Sequence, residues 1–124
     1  MLFRSHIFHG TCSLGYYERA LKHITERVDK DALFVFSDDP EWVEQNMSFD
    51  CPVTFVRGNS GAKSFEDLRL ISLCKHQIIA NSTFSWWGAW LNSNPNKIVI
   101  TPRDWFANKG PDTRDLIPFS WIRL

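Results

Sequence analysis

The sequence lacks any imbalance of charge: 14 basic residues stand against 14 acidic ones. Without a basic stripe there is no electrostatic footprint for a phosphate backbone, so nucleic acid is not expected as a partner. Cysteine is scarce; Cys12, Cys51 and Cys74 are far apart and form no C-x-x-C pair. That speaks against a disulfide scaffold and reads as reduced thiols. Long apolar runs are missing too, and nothing approaches the ~20 apolar residues of a membrane span. The opening segment, Met1-Leu2-Phe3-Arg4-Ser5-His6-Ile7, has no apolar stretch of the kind a signal peptide needs, so a cytoplasmic location is expected. No His, Cys or carboxylate spacing suggests a zinc site. G-x-G-x-x-G, G-x-x-x-x-G-K-[ST] and G-x-S-x-G are all absent, which disfavours a dinucleotide fold, a P-loop NTPase and an α/β-hydrolase.

What is present is a core. Apolar residues make up 44% of the 124, and aromatics 15%, with six Trp, enough for one packed domain. Tyr17, Leu21, Ile24 and Val28 recur at helical spacing, which predicts a helix over 14–29. Leu33-Phe34-Val35-Phe36 is a wholly apolar run of the kind a buried parallel strand shows. Asp39-Pro40 reads as an N-cap followed by Pro at the first helical position, opening a short helix through Trp42 to about Gln45. Val53-Thr54-Phe55-Val56 is the next expected strand. Ser64-Phe65-Glu66-Asp67 resembles a capping box before a helix carrying Leu68, Ile71 and Cys74. Gln77-Ile78-Ile79-Ala80 is a third strand, a Trp-rich helix runs on to Leu91, and Lys97-Ile98-Val99-Ile100 is a fourth strand after the Asn94-Pro95-Asn96 turn. Residues 102–124 read as irregular. Alternating strands and helices imply an α/β fold, a Rossmann-like parallel sheet with helices on both faces.

In such sheets ligands gather beyond the carboxyl ends of the strands. That rule selects Ser37-Asp38-Asp39, Arg57-Gly58-Asn59, Asn81-Ser82-Thr83 and Pro102-Arg103-Asp104, each polar and each following an apolar strand. Asn81-Ser82-Thr83-Phe84-Ser85 puts small hydroxyl residues where a strand gives way to a helix, the place where backbone N–H groups and the helix dipole hold phosphate; ordinary N-capping by Ser82 or Thr83 is the alternative. Asp39 is accounted for as a cap, whereas Asp38 is not; the paired carboxylates can bind Mg²⁺, accept a base edge or ribose hydroxyls, or orient a neighbouring cation, with a solvated turn as the alternative. Asp67 is either the capping-box partner of Ser64 or a carboxylate that accepts two hydrogen bonds from a guanine. Trp86, Trp87 and Trp90 read as core packing. His9 lies near enough the expected site to reach it, while His23 and His76 read as surface positions.

Several of these segments resemble one family. Phe34-Val35-Phe36-Ser37-Asp38-Asp39-Pro40-Glu41-Trp42, His9-Gly10-Thr11-Cys12-Ser13-Leu14 and Asn81-Ser82-Thr83-Phe84-Ser85-Trp86-Trp87-Gly88-Ala89-Trp90-Leu91 closely resemble the C-terminal part of the α-1,2-fucosyltransferases of glycosyltransferase family 11. The resemblance implies the C-terminal half of a GT-B-type, metal-independent, inverting enzyme that needs no cofactor. The activity implied is transfer of L-fucose from GDP-fucose to the 2-hydroxyl of a galactose-containing glycan. It implies that Asp67 reads the guanine, that Ser82, Thr83 and Phe84 hold the diphosphate region together with Asn81, and that Asp38, Asp39 and His9 support the site. Residues 1–124 then form one nucleotide-sugar-binding domain of a longer two-domain enzyme, with a peripheral position at the inner face of a membrane left open.

The chain departs from the family at one point. An H-x-R-R-x-D motif is expected shortly before His9-Gly10, its arginine neutralising the departing diphosphate, and here only Met1 to His6 precede; Arg4 does not match it. No catalytic base can be assigned. The expectation is therefore a chain that carries donor binding and turns over little by itself. The alternatives of other classes are a sugar- or nucleotide-binding module without activity, such as a lectin-like domain, and a signalling receiver domain. The receiver is disfavoured because its strand-end Asp and Lys would fall on Arg57-Gly58-Asn59 and Thr101-Pro102.

Overall fold

The computed structural model describes residues 2–3, 13–28, 32–37, 40–49, 51–56, 64–81, 83–103 and 116–124. Ser13 opens helix α1 (Leu14–Thr25): its backbone is extended and its hydroxyl accepts from the Tyr16 N–H at 3.1 Å, satisfying a donor with no intrahelical partner. The helix buries Tyr16, Tyr17, Ala20 and Ile24. Its inward stripe is thus turned from the expected one, since Leu21 and Val28 are only half-buried. It also stops earlier than expected, because the Arg27 N–H bonds back three residues to Ile24 O and tightens the last turn.

Strands β1 (Leu2–Phe3), β2 (Leu33–Phe36) and β3 (Val53–Val56) form one parallel sheet in the order β1-β2-β3. Strands β4 (Gln77–Ile78), β5 (Val99–Thr101) and β6 (Ile122–Arg123) form a second, also parallel, in the order β4-β5-β6. Between the strands lie α2 (Pro40–Asn46), α3 (Ser64–Leu73) and α4 (Thr83–Trp90). Pro40 opens α2, as its missing N–H and preset φ favour. The fold is mixed α/β with parallel strands, but in two small sheets rather than the one sheet expected. β1 lies against β4 without a ladder.

Two apolar cores flank the strands, and each draws on both sheets. Strand alternation explains the division, since neighbouring residues point to opposite faces. On one face Leu33, Val35, Ile78 and Ile100 pack with Tyr17, Ala20 and Ile24 of α1 and Val43 of α2. On the other, Phe36, Ile79 and Val99 pack with Ile71 of α3, Ala89 of α4, and Ile117 and Trp121. β2 is not buried throughout: Phe34 stays 39% exposed.

Two boundaries moved for identifiable reasons. The expected strand 97–100 becomes Val99–Thr101 because the Ile98 N–H donates to Nδ1 of His76 at 2.9 Å, while the Lys97 N–H closes a turn on Asn94 O. The supposedly irregular tail contributes β6, in register Ile100↔Ile122 and Thr101↔Arg123. His76 is therefore a half-buried structural acceptor rather than a surface residue, and His23 is half-buried as well.

Candidate functional site

The amino end of the second sheet shows which way the helices run. Gln77, fully buried, donates from Nε2 to Ile71 O at 2.9 Å and to Cys74 O at 3.0 Å, capping the C-terminal turn of α3. Asn92 donates from Nδ2 to Gln77 Oε1 at 2.9 Å and to Lys75 O at 3.1 Å. The Lys97 ammonium donates to Ala89 O and Asn92 O at 3.0 and 2.9 Å, capping the end of α4, where a cation meets the negative end of the helix dipole. Burial holds the Lys97 pKa below its ordinary value. Both helices therefore end beside Gln77, the first residue of β4.

It follows that both begin at the opposite edge, beyond the carboxyl ends of β4 and β5. The helices touch closely midway: a Cβ on Gly88 would come within 2.3 Å of Ile71 Cγ2. Asp67 and Phe84 each precede that contact by four residues, one turn and about 6 Å along the axis. Residues four apart share a helix face, so the two are carried toward the same edge on facing sides of α3 and α4.

At that edge Asn81 is half-buried, Thr83 is the first residue of α4, and Phe84 is half-buried against the second core. The first N–H groups of α4 have no intrahelical acceptor. Asp67 is half-buried in the first turn of α3 beside Glu66, which is engaged by Arg69 at 3.0 Å. Ser64 is already the first helical residue, one position too far in for the N-cap of the expected capping box. The Ser85 hydroxyl is spent within the fold: fully buried, it donates to Ala80 O at 3.0 Å. His9, Asp38, Asp39 and Ser82 lie outside the described residues, as does the side chain of Thr83.

Two features of this edge were not read from the sequence. Thr101, the last residue of β5, is fully buried, and its hydroxyl has no hydrogen-bond partner among the described residues. Tyr16 reaches across from α1 and donates from its phenol to Ile79 O at 2.6 Å and Ile100 O at 3.1 Å. Arg103, within the Pro102-Arg103-Asp104 segment that the strand-end rule selected, stands exposed. Only Pro102 carried a signal, since a proline directly after a strand marks the place where ladder donors stop.

The tryptophans divide. Trp86 packs against the second core and donates from Nε1 to Leu116 O at 2.7 Å. Trp90 stacks on it at 5.3 Å and 7°, yet Trp90 and Trp87 remain 51% and 49% exposed. The core reading holds for Trp86 and fails for the other two. Among the described residues no three His, Cys, Asp or Glu side chains gather as metal ligands would, and no helix is long and apolar enough to cross a membrane.

Comparison with known proteins places the chain. The model of glycosyl transferase family 11 matches residues 4–123. The O-antigen biosynthesis glycosyltransferase WbnK of Escherichia coli is 46% identical over 94% of this chain and 38% of its own length. The alpha-1,2-colitosyltransferase of Escherichia coli is 38% identical over 94% of this chain and 40% of its own. The mouse galactoside 2-alpha-L-fucosyltransferase Sec1 is 30% identical over 62% of this chain and 21% of its own. The chain thus spans about two fifths of the length of the first two curated relatives. No solved structure matches.

Proposed function

The chain belongs to glycosyltransferase family 11, and from that premise we propose that it binds the nucleotide-sugar donor, GDP-fucose, for transfer of L-fucose to the 2-hydroxyl of a galactose-containing acceptor. The observation that carries this reading is that α3 and α4 both begin at the carboxyl edge of the strands and bring Asp67 and Phe84 toward it. A GDP seated there places its guanine against α3, where Asp67 accepts two hydrogen bonds, and its diphosphate against the start of α4. The family resemblance assigns polar donors to Asn81, Ser82 and Thr83 and supporting roles to Asp38, Asp39 and His9. Support for the wider architecture comes from strand order. Read across the β1–β4 contact it runs β3-β2-β1-β4-β5-β6, the order of a doubly wound nucleotide-binding sheet with its crevice at the reversal.

The chemistry asked of this edge is electrostatic. As the sugar departs with inversion, negative charge grows on the diphosphate, and helix N–H groups already aimed at it stabilise that charge without reorganising. Arg103 is a cation at the same edge and adds a salt-sensitive attraction. The base for the acceptor hydroxyl and the acceptor contacts fall to a further part of the enzyme, corresponding to the length that relatives carry beyond this match. The cytoplasmic, membrane-peripheral setting is proposed from the resemblance alone.

One relative supports a second reading of the sugar. The alpha-1,2-colitosyltransferase matches 94% of this chain, against 62% for Sec1, so a donor carrying colitose in place of fucose is the alternative. Calorimetric titration of the purified chain with GDP, free fucose and GDP-fucose tests the core of the proposal. GDP is expected to bind and free fucose not to. Preference for the free sugar would make this a lectin-like module, and Asp67→Asn is expected to weaken GDP by about 10- to 100-fold, the worth of a pair of hydrogen bonds to a charged acceptor.

A further inference from the structure

The β4–β5 ladder ends in an unusual way. Ile78 pairs with Ile100, and the Ile79 N–H donates to Ile100 O at 2.9 Å. In a parallel ladder of this register the next donor, to Ile79 O, is the backbone N–H of residue 102. That residue is Pro102, which has none. A buried carbonyl left without a donor is costly. Tyr16 fills the place: its hydroxyl donates to Ile79 O at 2.6 Å, the shorter of its two contacts, with Ile100 O at 3.1 Å.

The ring that carries this hydroxyl is held firmly. Tyr16 is only 4% exposed and sits in the first core beside Tyr17, ring centroids 4.9 Å apart. Its backbone N–H is the one that Ser13 caps. The donor to Ile79 O therefore comes from an element that is locked at both its side chain and its backbone, 63 residues away in sequence.

We propose that Tyr16 is a positioning residue: it supplies the hydrogen bond that Pro102 cannot, and so sets where β4 and β5 part and how the turn at residues 80–84 is held for a nucleotide. Proline stops the ladder and lets the chains diverge at Asn81 and Arg103. The phenol keeps the Ile79 carbonyl from drifting once the rung is gone. Two residues further on, the Asn81 turn and the buried Ser85–Ala80 bond inherit that position. The proposal rests on the donor-binding reading for the word nucleotide, while the ladder replacement is independent of it.

Three forms of the whole chain test it: wild type, Tyr16→Phe, and Tyr16→Phe with Pro102→Ala. The second substitution returns a backbone N–H opposite Ile79 O. Amide hydrogen exchange is read at residues 81, 83 and 84 without ligand, alongside the thermal midpoint and the dissociation constant for GDP. Tyr16→Phe is expected to speed exchange at those amides roughly three- to tenfold, as loss of one buried hydrogen bond allows, and to weaken GDP by a similar factor. Adding Pro102→Ala is expected to recover both toward wild type. A lowered midpoint with unchanged exchange at 81–84 would make Tyr16 a packing residue only and overturn the proposal. So would a double variant that recovers neither. If wild type binds no GDP, the donor-binding reading falls, and the exchange comparison still decides the role of Tyr16.

Discussion

At the amino end of β4 and β5, Gln77, Asn92 and Lys97 use one another and the last carbonyls of α3 and α4, while His76 accepts from the start of β5. At the carboxyl end the ladder is cut by Pro102, a phenol from α1 stands in for the missing donor, and the Thr101 hydroxyl is buried with no partner among the described residues. Among the described residues, the two ends differ in how their hydrogen bonds are completed. Polar groups at the first end complete a structural circuit that terminates two helices. At the second end, among the described residues, Tyr16 replaces a ladder donor and the Thr101 hydroxyl alone is buried without a partner, beside the edge where ligands gather in such sheets.

That contrast can be broken most forcefully at the closed end. Gln77→Leu removes the side-chain donor to Ile71 O and Cys74 O and the acceptor at Gln77 Oε1 for the Asn92 amide. Ile71 O keeps the Cys74 N–H and Asn92 keeps Lys75 O, and the substitution is expected to destabilise the fold by about 2–3 kcal/mol. Urea unfolding measures this, and below the transition GDP affinity should hold within about twofold. A large loss of affinity with little loss of stability would reverse the assignment of the two ends.

Gly88→Ala joins the two ends. The new methyl meets Ile71 Cγ2 at 2.3 Å and Cβ at 3.0 Å, branch atoms that cannot swing aside. A cost of about 1–3 kcal/mol is expected, with α3 pushed from α4. Because Asp67 and Phe84 sit one turn above that contact, GDP affinity should fall as well, which titration of the folded variant checks.

Thr101→Val sharpens the contrast with the opposite sign. Removing a buried hydroxyl without a partner is expected to raise stability by about 1 kcal/mol while leaving the core volume filled. If thermal melts instead show a loss, the hydroxyl is satisfied in solution.

Acid provides the gentlest test. His76 has its pKa lowered from the ordinary 6.5, first by burial and then by nearby positive charge including Lys75. Protonation at Nδ1 would also cost the hydrogen bond from Ile98. Since the unfolded chain takes up the proton first as pH falls, this contribution is whole above about pH 6.5 and is lost as pH drops from there through the lower folded value. Replacing His76 by Gln should flatten that part of the stability–pH curve, and the slope is expected to persist in Asp67→Asn.

Much of this was legible in the residues. β2 and β3 fall on their apolar runs, α2 begins at its proline, and the alternating order correctly implied parallel strands with helices on both sides. Local signals suffice there because four apolar residues in a row, or a proline after an acid, restrict the backbone directly. β1 and β6 were missed because strands of two residues have no periodicity of their own and exist through partners far along the chain. The candidate site was half legible. Asn81, Thr83, Phe84 and Asp67 come toward the edge that strand order implies, but Ser85 proved structural, and Tyr16 and Thr101 carried no local mark of their place.

By itself, then, the sequence determined the family and the alternation of elements, since motif identity and hydrophobic period are properties of neighbouring residues. Tertiary structure alone decided which polar side chains are used up within the fold. Hydrogen bonds form between groups brought within about 3 Å, and for Tyr16 with Ile79, or Gln77 with Asn92, only the folded packing sets that distance.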